Sequence, residues 1–214
     1  MGGFVHLPGF LSQEQVDALA EEGRRIIAAA PLMAPTMRDG TSLKVRVTSA
    51  GAWGWWADPK GYRYVERHPT TGQPFPPIDP LFRELTAQIL ESAGYPGGGA
   101  FAASVDSVLI NWYAPGASLG WHVDRTEEDT AAPIVSISIG DTALFEIKLD
   151  EQVQKYVLIN GDACVQGGSS RAAEHRIARV YPHEMELGRP RNPLAKPGRL
   201  NFTIRRHKRG TEVA

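Results

Sequence analysis

Residues after 104 form a succession of short strand patterns separated by turn residues, and this arrangement limits the possible folds more than any other feature of the chain. The spacing predicts antiparallel strands in a double sheet or a barrel, with a jelly roll as the natural candidate. The 22 glycines and 16 prolines argue against long helices, because each costs about 1 to 3 kcal/mol inside one. The predicted strands cover residues 105–113, 134–139, 143–148, 155–159, 162–166 and 199–205.

Two helices are predicted before these strands. The first covers residues 12–29, where Ser12 and Gln15 form a capping-box pattern ahead of an amphipathic stretch. The second runs from about residue 80 to 93, with Asp79 as its N-cap and Pro80 at its first position. We therefore expect an α+β, mainly β fold. Residues 1–94 carry the helices and an aromatic-rich segment, and residues 95–214 form the strand core, all in one compact unit.

Charge and cysteine content restrict the cellular setting. The formal net charge of −1 excludes a histone-like polycation. The single cysteine, Cys164, excludes an intramolecular disulfide framework and suits a reducing compartment. No apolar run approaches the roughly 20 residues of a membrane span, and the N-terminus lacks a signal-peptide pattern. We expect a cytoplasmic protein with no membrane partner, acting as a monomer.

A possible metal site begins at His122-Val-Asp124. On an extended segment, side chains two residues apart point to the same face, so this triplet presents an imidazole and a carboxylate together. A third ligand would complete the two-His, one-carboxylate set that leaves positions of Fe(II) open. His175 is the best third ligand and His183 the second choice. The triplet alone is weak evidence, since it is also common in solvated loops.

The predicted last strand alternates strictly. Leu200, Phe202 and Ile204 face one way, while Arg199, Asn201, Thr203 and Arg205 face the other. Taken alone, this pattern favours an edge strand with a solvated basic face. Two arginines and an amide in one row also suit a dicarboxylate, because guanidinium pairs bidentately with carboxylate. Residues 109–113 offer a second polar face with Asn111 and Tyr113, and a small acid beside a three-ligand iron describes 2-oxoglutarate.

These stretches, in this order and spacing, resemble the AlkB nucleic-acid demethylases across residues 95–207, with a looser match before them. The resemblance implies a double-stranded β-helix of jelly-roll type with a nucleotide-recognition lid inside residues 1–94. It also implies an enzyme that uses Fe(II), 2-oxoglutarate and O2. The matching stretches are 109–117 (LINWYAPGA), 121–124 (WHVD), 132–136 (APIVS), 167–171 (GGSSR), His175 and 199–205 (RLNFTIR).

The resemblance also implies a role for each site residue. His122, Asp124 and His175 would ligate iron. Arg199, helped by Tyr113 and Asn201, would hold the distal carboxylate of 2-oxoglutarate, and Asn111 and Arg205 the end nearer the metal. Trp55 would stack on the target base and Tyr62 would contact the nucleic-acid backbone. Tyr64, in the same lid, would also bind the substrate.

The implied reaction is oxidative dealkylation of bases of the 1-methyladenine and 3-methylcytosine type in single- or double-stranded DNA, with RNA as a further substrate. It would release formaldehyde, succinate and CO2 and directly repair alkylation damage. Such bases are cationic, so a nearby carboxylate should favour them, and Glu127 is the candidate. Thr126 stands where the family often has Asp, and Glu174, where one member has Tyr, is expected to face solvent.

Other functions fit parts of the pattern. The same site could oxidise a small molecule, a tRNA or a protein side chain, or a jelly-roll module could have kept only a metal or acid site. A hydrolytic zinc site is least favoured, because no helical H-E-x-x-H occurs. Residues 36–67 carry a net charge of +3 and residues 189–214 a net charge of +7. These are the two regions that the family places near the nucleic acid.

Overall fold

The computed structural model describes residues 2–182 and 188–208. In these ranges the chain forms three α-helices, one short 3-10 helix (Gly168–Ser170) and twelve strands. The α-helices are α1 (Gln13–Ala29), α2 (Pro80–Ser92) and α3 (Gly98–Ser104). The strands are β1 (Phe4–Leu7), β2 (Arg46–Gly51), β3 (Gly54–Asp58), β4 (Gly61–Val65), β5 (Ser107–Tyr113), β6 (Leu119–His122), β7 (Ile134–Gly140), β8 (Thr142–Leu149), β9 (Gln152–Leu158), β10 (Ala163–Gln166), β11 (His175–Tyr181) and β12 (Arg199–Arg205).

The helix starts follow the predicted signals. The Ser12 hydroxyl accepts from the Gln15 amide, and the Gln15 side chain accepts from the Ser12 amide, so the capping box is complete. Asp79 accepts from the Leu81 amide at the start of α2. Helix α3 was not predicted, because its glycine-rich sequence carries no apolar periodicity.

Two antiparallel sheets face each other, as in a jelly roll. The major sheet has the order β1-β10-β7-β12-β5-β2 and the minor sheet the order β6-β11-β8-β9. Strands β1 and β2 come from the first 94 residues yet form the two edges of the major sheet. The N-terminal segment is therefore built into the core rather than merely resting on it.

Strand β12 lies in the middle of the major sheet, between β5 and β7. All seven of its residues are buried, so the structure excludes the alternative of an edge strand with a solvated face and leaves the interpretation of a polar face that binds an acid. Leu200, Phe202 and Ile204 pack into the core beneath α1 and α2, with the Phe202 ring 5.2 Å from that of Phe82. Its other face therefore points into the space between the two sheets.

Strands β3 and β4 form a separate two-stranded hairpin, the lid hairpin. Asp58 closes its turn by accepting from the Lys60 amide and from both terminal nitrogens of Arg63. Gly61 follows with a φ of +111°, a conformation that glycine adopts readily. Among the described residues, no helix has both the length and the apolar composition needed to cross a bilayer.

Candidate metal centre and substrate cavity

Three potential metal ligands, His122, Asp124 and His175, lie close together at one end of strands β6 and β11 of the minor sheet. His122 ends β6 and His175 begins β11, and the two residues are direct partners across these strands. Asp124 follows just beyond the end of β6. Its Oδ1 lies 3.9 Å from His122 Nε2 and its Oδ2 lies 3.8 Å from His175 Nε2. One ligand atom from each residue lies within 4.8 Å of the other two, so the three can hold a single ion.

Backbone carbonyls fix the orientation of both imidazoles. His122 Nδ1 lies 2.8 Å from the Gly120 carbonyl oxygen, and His175 Nδ1 lies 3.1 Å from that of Ala173. A proton on each Nδ1 donates to these oxygens and leaves Nε2 as the metal-binding nitrogen. This is the arrangement by which proteins usually orient a metal-bound histidine, and the donor set fits Fe(II).

The protonation states also suit metal binding. Burial lowers the pKa of His175, which favours the neutral imidazole that a metal requires. For Asp124, burial alone would raise the pKa, but the positive charge of Arg205 and the neighbouring imidazoles outweigh it and bring the pKa to about 2. Asp124 is therefore a carboxylate at neutral pH.

A cavity of about 500 Å³ extends from these ligands between the two sheets. Its walls come from both sheets, the lid hairpin and the segment before β2. The polar and charged residues of β5 and β12 in its lining are Asn111, Tyr113, Arg199, Asn201, Thr203 and Arg205.

Arg199 lies at the inner end of the cavity and is only 1% exposed. One terminal nitrogen donates to the Ser138 hydroxyl at 2.9 Å, while Nε and Nη1 have no hydrogen-bond partner among the described residues. The Tyr113 ring lies beside the guanidinium, with its centroid 5.5 Å away. A buried guanidinium with unsatisfied N–H groups facing a cavity is suited to an anionic ligand, and its planar fork matches a carboxylate.

The amides beside Arg199 have partners within the protein. Asn201 donates to the Ser136 hydroxyl at 2.7 Å and to the Ile137 carbonyl at 3.0 Å. Asn111 lies directly opposite Asn201 in the sheet and donates to Thr203 at 3.4 Å. These bonds hold the polar floor of the cavity in place.

The lid hairpin covers the outer side of the cavity. The Trp55 indole N–H donates to the Thr126 hydroxyl at 3.3 Å, and its ring stacks on that of Tyr62 at 5.8 Å. Tyr62 is 45% exposed, and its hydroxyl lies 3.4 Å from the sulfur of Met37. The hairpin thus presents an aromatic surface to the cavity that holds the metal ligands.

Comparison with known proteins gives the family of this site. The sequence pattern of the 2OG-Fe(II) oxygenase superfamily matches residues 3–205. An α-ketoglutarate-dependent dioxygenase AlkB homolog from Caulobacter vibrioides is 35% identical over 207 residues, which cover 95% of this chain and 87% of that protein. The chain belongs to the AlkB family. It is therefore a dioxygenase that uses Fe(II), 2-oxoglutarate and O2.

Other similarities agree with this family. The nucleic acid dioxygenase ALKBH1 of Mus musculus is 32% identical over 184 residues, covering 83% of this chain and 43% of that protein. The solved structure of OsALKBH1 matches with a TM-score of 0.73 at 25% identity, covering 96% of this chain and 98% of that one. The jelly-roll core predicted from the sequence is confirmed.

Two predicted substrate contacts of this AlkB-family enzyme lie elsewhere in the structure. Glu127 is buried, at 4% exposure, and does not line the cavity. Its carboxylate accepts from Arg205, Arg171 and the hydroxyl of Tyr64. Burial alone would raise the pKa of Glu127, but Arg205 holds it at about 2. The expectation that Glu127 faces the base is therefore corrected, because its oxygens are already bound, and Tyr64 points to Glu127 rather than to the cavity.

The basic C-terminal region also differs from the expectation. Arg199 and Arg205 are buried, Arg206 pairs with Asp129, and Lys208 pairs with Glu128. Arg205, Arg206 and Lys208 thus neutralise the protein's own carboxylates, whereas Arg191 and Lys196 of the same region are exposed. Arg209, the one basic residue of this region beyond 208, lies outside the described residues, as does His183.

The sequence pattern did not point to one residue near the metal ligands, Gln166. Its side-chain amide donates to the Ser170 carbonyl at 3.0 Å and lies 3.5 Å from His175 Nδ1. It therefore holds the turn that leads into His175. The sequence signal for Gln166 was its position as a polar residue at the end of the otherwise apolar strand β10. Glu174, next to that ligand, is exposed and pairs with Lys148 at 2.5 Å, but it also lines the cavity, so it does not face solvent alone.

Proposed function

We propose that this enzyme removes alkyl groups oxidatively from N-alkylated nucleobases of the 1-methyladenine and 3-methylcytosine type in DNA, with RNA as a second substrate polymer. The products are the restored base, formaldehyde, succinate and CO2, and the biological role is direct repair of alkylation damage. One observation carries the proposal: a single cavity has the aromatic lid hairpin on one side, the three metal ligands at its mouth and the unsatisfied Arg199 at its inner end.

In this proposal the core residues hold the cosubstrates. His122, Asp124 and His175 bind Fe(II), which together with O2 and 2-oxoglutarate supplies the power to oxidise a C–H bond. Arg199 pairs with the distal carboxylate of 2-oxoglutarate through its unsatisfied N–H groups, with Tyr113 beside it and Asn201 bracing the floor. Asn111 and Arg205 border the end nearer the metal.

The lid hairpin holds the base. Trp55 offers a flat apolar face over the cavity, and stacking on an aromatic ring contributes about 1–3 kcal/mol per base. The base has to leave the duplex, or come from a single strand, before its alkyl group can reach the metal. The exposed Tyr62 contacts the nucleic-acid backbone at the cavity entrance. Once the methyl carbon carries a hydroxyl group, the N–C bond breaks to release formaldehyde and the parent base.

The cellular setting belongs to the same proposal. The single cysteine, Cys164, is buried in the core and suits the reducing conditions of the cytoplasm, where we place the enzyme as a monomer.

A substrate panel tests the proposal. The purified protein is incubated with Fe(II), 2-oxoglutarate and O2, and with one of four substrates: a 1-methyladenine DNA oligonucleotide, the same lesion in RNA, the free methylated nucleoside, or a mixed peptide library. Mass spectrometry then follows each substrate. We expect loss of 14 Da from the oligonucleotides, as one methyl group gives way to one hydrogen. Oxidation of the peptides or the free nucleoside alone would contradict the proposal.

A further inference from the structure

One buried carboxylate connects the lid hairpin to the metal site. Glu127 Oε1 accepts from Tyr64 of β4 at 2.7 Å and from Arg205 of β12 at 2.5 Å, while Oε2 accepts from Arg171 at 3.0 Å. The three donors come from the hairpin, the central strand of the major sheet and the turn before β11. No other carboxylate in the described part of the chain receives bonds from all three of these elements.

Arg205 and Arg171 also donate to Asp124, so they link Glu127 to this metal ligand. Arg205 donates through Nη2 to Asp124 Oδ2 at 2.7 Å, and Arg171 donates through Nη1 to the Asp124 carbonyl at 2.5 Å. Arg171 also donates to the Ala132 carbonyl at 2.7 Å, which fixes it to the start of β7. Asp124 is thus held by its side chain and by its backbone, and both connections start at Glu127.

On the hairpin side, the connection leads through Tyr64 to Trp55, which stacks on the base in the proposed function. Tyr64 lies directly opposite Trp55 in the hairpin, so the position of one strand fixes that of the other. The Tyr64 ring stacks on His207 at 4.1 Å, which leaves its hydroxyl aimed at Glu127. A displacement of the hairpin must therefore either break the Tyr64–Glu127 bond or move Glu127.

The charges make Glu127 hard to replace. Glu127 and Asp124 carry two negative charges, and Arg205 and Arg171 carry two positive charges, all within a largely buried cluster. Removing the Glu127 charge leaves Asp124 as the one carboxylate of the cluster that faces two guanidinium groups. Buried charge networks lose their geometry when one member is lost, because the remaining charges are uncompensated.

We propose that Glu127 is a positioning residue that couples the closed position of the lid hairpin to the orientation of Arg205 and Asp124. The inference rests on the proposed function for its purpose: the acid and metal end of the cavity is fully ordered only while the lid that receives the base is in place. Coupling of this kind is reciprocal, so binding of 2-oxoglutarate at the inner end should also steady the hairpin.

Hydrogen exchange measures this coupling without any turnover. The amides of residues 54–65 are followed anaerobically with Fe(II), with and without 2-oxoglutarate. In the wild-type protein we expect 2-oxoglutarate to slow their exchange about fivefold or more. In Tyr64→Phe, which keeps the ring on His207 but loses the bond to Glu127, that slowing should disappear. Tyr181→Phe, an exposed tyrosine of the minor sheet, is the matched control and should behave like wild type.

A second variant tests the other end of the connection. Glu127→Gln should weaken 2-oxoglutarate binding about 10–100-fold, whereas Glu22→Gln, which removes another buried carboxylate paired with an arginine, should leave it unchanged. If Glu127→Gln does not fold, the Tyr64→Phe comparison decides alone. Equal slowing of hairpin exchange in Tyr64→Phe and wild type overturns the coupling. Failure of the proposed function is seen separately, as a wild-type protein that shows the coupling but oxidises no nucleobase.

Discussion

The central strand β12 and the lid hairpin border the same cavity but are held in opposite ways. Strand β12 pairs along its whole length with β5 and β7, and all its residues are buried. The two strands of the hairpin pair only with each other. Side-chain bonds of Trp55 and Tyr64 connect the hairpin to the loop after β6. One backbone bond, from the Thr36 amide to the Ala57 carbonyl, connects it to the segment before β2.

This difference in backbone pairing matches two different tasks in the proposed function. The residues that hold metal and acid need fixed geometry, and a central strand between two partners provides it. In the proposed function, the hairpin residues that receive a base must admit and release a polymer, and an element with few backbone connections can open at low cost. The predictions below test this division, from the largest expected effect to the smallest.

The largest effect is expected from removing Asp124, the carboxylate ligand in the rigid part of the site. Asp124→Ala should reduce turnover below detection, because it deletes a metal ligand and leaves Arg205 without a partner at Nη2. Formation of succinate and formaldehyde is measured together with the thermal unfolding temperature. Asp39→Ala, at an exposed turn before the hairpin, is the control and should keep full activity. Detectable turnover in folded Asp124→Ala would remove Asp124 from the metal site.

Replacing the buried guanidinium of Arg199 tests only the end of the cavity where 2-oxoglutarate is proposed to bind. Arg199→Lys keeps the charge but loses the planar fork, so the KM for 2-oxoglutarate should rise about 10- to 100-fold while the KM for the oligonucleotide stays the same. Arg24→Lys, on the exposed face of α1, serves as the control. A change in the oligonucleotide KM instead would mean that Arg199 serves the lid side of the cavity.

Removing the lid tryptophan tests the opposite end. Trp55→Ala should weaken oligonucleotide binding about 5- to 150-fold, the loss expected for one stacked base, without changing the KM for 2-oxoglutarate. Trp56→Ala removes the neighbouring indole, which points away from the cavity to Asp58, and should have a smaller effect. Fluorescence anisotropy of a labelled methylated oligonucleotide gives the affinities. An unchanged affinity would exclude Trp55 from base binding.

Salt dependence separates the two basic regions. Lys60, at the exposed turn of the hairpin, should contact phosphate, so Lys60→Ala should reduce the slope of log affinity against log salt by about 1. Lys208 is paired with Glu128, so Lys208→Ala should leave the slope unchanged. A lower slope in the Lys208 variant would restore the C-terminal region as a phosphate-binding surface.

The sequence predicted the core of this fold well because its signals are local. The capping residues Ser12 and Asp79 placed both long helices, and strict alternation placed β12 with the right face toward the cavity. The triad of His122, Asp124 and His175 came together as expected from ligand spacing and the family resemblance.

What the sequence did not predict depends on distant contacts. Strand β1 is four residues long and pairs with β10, some 160 residues later, so no local pattern marks it. Glu127 lies in an acidic run that is typical of solvent-exposed loops, and only the folded chain brings Arg171, Arg205 and Tyr64 to it. The pairing of Lys208 with Glu128 likewise joins residues 80 positions apart.

The stoichiometry of a single reaction tests the central claim most directly. Wild-type protein with Fe(II) and 2-oxoglutarate is mixed anaerobically with a 1-methyladenine oligonucleotide, O2 is admitted, and succinate, formaldehyde and unmethylated adenine are counted over time. The account predicts one formaldehyde and one restored adenine for each succinate formed in the presence of the oligonucleotide. Succinate that accumulates while the methylated base stays unchanged would contradict it.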